Sequence, residues 1–432
     1  MPPFSDIQLS VLRLLAECGW VSKRALDMLP YSYYHFTKKT KELFDNGYIR
    51  KTGKGMSKCY ALNPSARNIL SGINEYRFTS ELFELNTLLT RHSDRAMLRG
   101  DAAAALSLAG YSAHPDDKPT LPACCPPLPS APDDSDWRFL FQNGRQHAYP
   151  AGNDKRTYTR RLTPVNCYYD AVLLKGLVPK RGDKDNEGVN YSRVCGVLMT
   201  PTYLLRVFNS RDVAMKFSTT GERNMRSLIL SDAVFPGYLP DENRGILVFG
   251  DDFTTAGKII DRHISGSRAK IPQNIKKKGR YQNEKSAANV MLGTSNLGSP
   301  LFYLPMERRA LELLRIMRYP AWQDTLCRFI NGTCFGQKNN TQWCHEFEGR
   351  QVYILASLNL TQIGVAMRNI SRQPEQPVTL AYLEWQHGFF EGLLNRHGGY
   401  GDILIKRMTE GYDVSSRSTM NDYWEGINCL NG

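Results

Sequence analysis

Two adjacent carboxylates, Asp251 and Asp252, follow directly on the apolar run Gly245-Ile246-Leu247-Val248-Phe249-Gly250. Residues just past the C-terminal end of a buried strand are where α/β sheets commonly meet ligands. A carboxylate pair there could hold a divalent cation for phosphodiester cleavage. An aspartate in that place also caps a following helix, here one expected from Thr254 to His263. We read the pair as caps, with DNA nicking or nuclease action at Asp251 and Asp252 as the alternative. The onward sequence Gly250 to Lys258 has the strand-loop-helix setting of a phosphate-cradling loop. However, six residues rather than four separate its glycines, and Ile259 stands where a hydroxyl must hold magnesium. Two carboxylates would also repel phosphate, so nucleotide hydrolysis is rejected.

Other catalytic patterns fail for stated reasons. A nuclease of the restriction-enzyme type needs acidic-x-Lys on a strand, so that metal ligation and nucleophile activation lie side by side. The one such triplet, Asp116-Asp117-Lys118, sits among prolines that no sheet could hold. None of the eight histidines has the His-x-His spacing of a paired-histidine nicking site. Tyr158, Tyr168 and Tyr169 lie near Arg156, Arg160 and Arg161, a grouping that ordinary surface also gives. Cys327, Cys334, Cys344 and His345 do not match zinc-ligand spacing, in which paired ligands lie about two to four residues apart. The expectation is a chain with no catalytic residues, metal or cofactor.

What remains is cationic binding chemistry. The net charge is +13, and residues 1–70, at +6, together with residues 262–285, at +7, account for all of it. Charge so localised marks anionic contact sites rather than general basicity. In the first segment Tyr34, Lys38 and Lys41 share one helical face, with His35 and Lys39 beside it, and Arg50, Lys51, Lys54 and Lys58 follow on a hairpin. In the second, Arg268, Lys270, Lys276, Lys277, Lys278 and Arg280 stand near Ser265-Gly266-Ser267 and Gly279. That pattern predicts an exposed basic loop that meets phosphates as point charges. Double-stranded DNA is the expected partner.

The elements that must position these residues follow from periodicity. Ile7, Val11, Leu14 and Leu15 repeat at helical spacing after Ser5-Asp6, and a short second helix runs from Ser22 through Leu29 to Pro30. Phe36, Thr40, Leu43 and Phe44 define the inward side of a third helix, which Asn46-Gly47 ends. Tyr48-Ile49-Arg50-Lys51 and Lys58-Cys59-Tyr60-Ala61-Leu62 flank a glycine-bearing tip and predict a hairpin. Three helices and a basic hairpin within residues 1–74 resemble the winged helix-turn-helix family of DNA-binding domains. The resemblance implies that the third helix enters a duplex groove.

Residues 75–111 read as a helical connector. Its stripe of Phe78, Leu82, Leu85 and Leu89 could pair two subunits as a homodimer, and Asp101 is expected to cap an alanine-rich helix. Prolines recurring from Pro115 to Pro132 make 112–135 an extended linker. Residues 136–432 alternate apolar strand runs with helical patterns, which argues for a larger α/β sheet domain carrying the basic loop 262–285. Strands are expected at 194–199 and 203–208, joined as a hairpin, and at 245–250, 301–304 and 351–356. Helices are expected over 212–230, 306–318, from 360 onward and over 380–394. The fold class is thus α+β and α/β.

The opening Met1-Pro2-Pro3-Phe4-Ser5-Asp6 lacks the regions of a signal peptide, and no stretch approaches the ~20 apolar residues of a membrane span. The expectation is cytoplasmic, with no membrane partner, and ten scattered cysteines suit a reducing compartment. The layout as a whole resembles the replication-relaxation group of proteins encoded by bacterial plasmids and integrative elements. It implies a DNA-binding protein acting at an element's origin or promoter, in replication, transfer or transcription control.

Overall fold

The computed structural model describes residues 4–52, 58–66, 70, 93–111, 140–142, 145–147, 166–171, 194–200, 202–210, 244–265, 300–318, 338–339, 344–347, 349–397 and 402–408. Helix α1 (Asp6–Cys18) opens with a capping box, Ser5 Oγ accepting from the Gln8 amide while the Gln8 side chain accepts from the Ser5 amide at 3.0 Å. Strand β1 (Val21–Ser22) leads into α2 (Lys23–Leu26), where Ser22 Oγ accepts from the Ala25 amide at 3.2 Å. The second helix therefore stops at Leu26, short of the predicted Pro30. Helix α3 (Tyr33–Asp45) ends as expected at Gly47, whose φ of 73° is the left-handed conformation that a terminating glycine supplies. Strands β2 (Ile49–Thr52) and β3 (Cys59–Leu62) pair antiparallel, and β1 adds to the far side of β3, giving the order β1-β3-β2.

Helix α4 (Ser93–Leu108) runs through Asp101, which the sequence reading placed at a cap. Asp101 is tolerated in the helix interior because its carboxylate, though buried, accepts a 2.6 Å hydrogen bond from the backbone amide of Ser22. Its neighbours Ala102 to Ala105 are small enough for α4 to press against α1, β1 and the sheet behind it. Gly100 is closer still, since a Cβ there would meet the Trp20 carbonyl at 1.8 Å.

Behind α4 lie two five-stranded mixed sheets rather than the single one expected. The first has the order β10-β9-β8-β7-β6, built from β6 (Cys167–Asp170), β7 (Gly196–Met199), β8 (Leu204–Asn209), β9 (Arg244–Gly250) and β10 (Leu301–Pro305). The second has the order β11-β12-β13-β14-β15, from β11 (Lys338–Asn339), β12 (Cys344–Phe347), β13 (Arg350–Ile354), β14 (Val378–Leu383) and β15 (Ile403–Met408). In each, the first three strands are antiparallel neighbours and the last two are added parallel. A separate pair, β4 (Leu140–Gln142) and β5 (Arg145–His147), lies N-terminal to both in sequence. Strands β9 and β10 read as nearly unbroken apolar runs because they are buried on both faces, whereas β15, at the edge of the second sheet, leaves Leu404 and Ile405 exposed.

Helices α5 (Thr254–Ser265), α6 (Arg308–Ile316), α7 (Leu360–Arg372) and α8 (His387–His397) cover the sheets, with α5 packed on α7. Residues 380–394, predicted helical, divide into the end of β14, a short 3-10 turn and α8. The apolar run Val378 to Leu383 carries both periods, and its place between β13 and β15 settles it as a buried strand. The predicted helix 212–230, the stripe Phe78 to Leu89 and the linker 112–135 lie outside the described residues. One buried apolar cluster runs from Val11, Leu15 and Leu43 through Leu106 to Leu205, Phe302, Tyr353 and Leu380. Among the described residues, no helix is long and apolar enough to cross a membrane.

Candidate nucleic-acid interface

Helix α3 sorts its residues by side, as 3.6-residue periodicity requires. Phe36, Thr40 and Leu43 are buried toward α1, while Phe44 is only partly buried, with the Lys51 ammonium 3.7 Å from its ring centroid. The opposite side carries Tyr34, Lys38 and Lys41, all exposed, and no described residue pairs with either lysine. At its N-terminal turn Tyr33 is 66% and Tyr34 73% exposed, two adjacent aromatic rings, the first with the Lys23 ammonium 4.7 Å from its centroid. His35 meets Tyr34 edge to face at 5.6 Å.

The other predicted contact residues divide. Lys39 turns toward α1, where its ammonium pairs with Glu42 at 2.8 Å and Gln8 also donates to that carboxylate. Arg50 is half-buried, its guanidinium stacked on the Trp20 ring at 4.9 Å. Lys58 is half-buried beside Tyr60, and Lys51 is exposed at the β2 end. Lys54, and all of Arg268, Lys270, Lys276, Lys277, Lys278 and Arg280, lie outside the described residues.

The aspartates past β9 are placed together and occupied. Gly250 leaves room for the Tyr303 phenol, which a Cβ would meet at 1.6 Å, and Tyr303 donates to the Asp252 carbonyl at 2.6 Å. Asp252 Oδ1 accepts from the Thr254 amide at 2.7 Å, the capping role expected. Asp251 does something else. Its carboxylate meets Arg24 of α2 at 2.6 Å, and the same guanidinium donates to the Asp251 carbonyl and, at 3.2 Å, to that of Met306. Arg308, at the start of α6, reaches back to donate to the Leu29 carbonyl. A position where α/β sheets commonly take a ligand is thus engaged by an arginine of the N-terminal unit. Sequence reasoning missed Arg24 and Arg308, because nothing local links residues more than two hundred positions apart.

Tyr168 and Tyr169 are strand residues of the core. Tyr168 donates to the Cys195 carbonyl at 2.9 Å, and burial pushes its phenol well above the ordinary value. The described strands carry two acidic residues, Asp170 and Glu346, neither followed at the second position by lysine. Among the described residues no three His, Cys, Asp or Glu side chains group to hold a metal. Compared with protein-family models, curated proteins and solved structures, the chain matches none.

Proposed function

We propose that the chain is a sequence-specific double-stranded DNA-binding protein, and that its first 74 residues are a winged helix-turn-helix unit with α3 as the recognition helix and the β2–β3 hairpin as the wing. The observation that carries this reading is the outward side of α3: Tyr34, Lys38 and Lys41 stand exposed together, the two lysines without described partners, on a helix anchored by Phe36, Thr40 and Leu43. A helix with a buried back and a cationic, aromatic front suits a major groove flanked by phosphates. The hairpin adds Lys51, Lys54 and Lys58, and the segment Arg268 to Arg280 supplies contacts that are indifferent to sequence. The setting we assign is a cytoplasmic protein of a bacterial mobile element, serving replication, transfer or transcription control.

The test is selection from a randomised duplex pool by the full chain. Enrichment of one motif over successive rounds is the expected result. A pool that stays random, with duplex affinity that is uniform across sequences, would overturn the reading.

A further inference from the structure

We infer that Asp251, at the end of β9, is a positioning residue for the duplex-reading face of α3, an inference that rests on the DNA-binding reading above. The segment from Ser22 to Leu29 is held by the rest of the chain at three points. Asp101 of α4 accepts from the Ser22 amide, Arg24 is gripped at the ends of β9 and β10, and Arg308 of α6 binds the Leu29 carbonyl. Helix α3 begins at Tyr33, only a short turn beyond Leu29. A segment pinned at three separated points cannot swing as a body without breaking one of them, so the direction in which Tyr34, Lys38 and Lys41 point is set from the sheet side.

Of the oxygens that hold Arg24 among the described residues, the Asp251 carboxylate is the one that belongs to a side chain. The loop beneath it is stiffened by the Tyr303 and Asp252 hydrogen bonds, which keep that carboxylate in place. Arg24 suits the task because a planar guanidinium can serve several acceptors at once, which an ammonium does with less geometric control. Holding the reader in one orientation removes an ordering cost that a swinging unit would meet at each binding event. It also keeps any phosphate contact made by the sheet-bearing region in fixed register with the groove that α3 enters.

The experiment uses the full chain, the duplex that the parent enriches from a random pool, and a scrambled duplex of the same composition. Asp251→Ala should lower affinity for the selected duplex about tenfold more than for the scrambled one. The salt slope should stay unchanged, because no phosphate contact is removed. Asp251→Asn, which keeps an oxygen acceptor, should recover most of the selected-to-scrambled ratio, and Arg24→Lys should lower it. A parent-like ratio in Asp251→Ala, even with a lowered melting temperature, would reduce Asp251 to a stabilising contact and overturn the inference while the DNA-binding reading stood. Should Asp251→Ala not fold, a parent-like ratio in Arg24→Lys would overturn it equally. A parent that enriches nothing would take the DNA-binding reading down first, and this inference with it.

Discussion

Helices α2 and α3 sit next to each other in one small unit and both carry basic side chains, yet Lys23 and Arg24 of α2 are used in the opposite way to Lys38 and Lys41 of α3. On α2, Lys23 pairs with Asp27 at 2.8 Å and Arg24 is engaged by Asp251 and two backbone carbonyls. On α3, Lys38 and Lys41 reach solvent with no described partner. Burial works to lower the Lys23 pKa, and the hydrogen bond and charge of Asp27 outweigh it, holding the ammonium above its ordinary value. The difference teaches that positive charge alone does not mark a polyanion site. What marks one is charge left uncompensated on a face whose opposite side is fixed by packing.

That contrast can be broken or sharpened by substitution, taken from the largest effect on stability to the smallest. Leu43→Ala, on the packed side of α3, should cost roughly 2 to 5 kcal/mol through lost burial and an unfilled volume. Thermal unfolding would register it, and duplex binding should fail only as the fold is lost. Arg24→Ala should cost roughly 1 to 2 kcal/mol in chemical denaturation, since it strips donors from the Asp251 and Met306 carbonyls at a partly exposed site. If Arg24→Ala were as neutral as a surface change, α2 would be no different from α3 and the comparison would fail.

Asp27→Asn should be the smallest of the set, about 0.2 to 0.5 kcal/mol, because both partners are about a third exposed and solvent screens the pair. The sign follows from Lys23, whose folded pKa is raised. Its contribution is fully present below the unfolded value of 10.5 and is lost as pH rises through the folded one. Denaturation of parent and Asp27→Asn should therefore differ at pH 8 and converge in strongly alkaline solution. A difference that grew with pH would contradict this account of the pair.

Much of the N-terminal unit was legible in the sequence because local signals decide it. Ser5 and Ser22 announce caps, Asn46-Gly47 announces a stop, and the spacing of Phe36, Thr40 and Leu43 fixes which side of α3 is inward, hence that Tyr34, Lys38 and Lys41 face out. Strands such as Gly245 to Gly250 and Leu301 to Leu304 were equally clear from their apolar runs. Where tertiary partners decide, the sequence misled or stayed silent. Asp101 reads as a cap until the Ser22 amide is brought to it, and Leu380 to Leu383 read as the start of a helix until β13 and β15 flank them as part of β14. Lys39 looked like a member of the cationic face because Glu42 was not counted against it. Arg24 gave no hint of Asp251, since 227 residues separate them and the pairing exists only after the sheet forms.

The outward face of α3 is best tested by charge reversal in the full chain. Lys38→Glu and Lys41→Glu, each titrated against the duplex selected by the parent and against a scrambled duplex, should abolish the preference for the selected sequence. Thermal stability should move by no more than about 0.5 kcal/mol, as expected of exposed substitutions. If both variants bind the selected duplex as tightly and as selectively as the parent, α3 does not read DNA and the central claim is wrong.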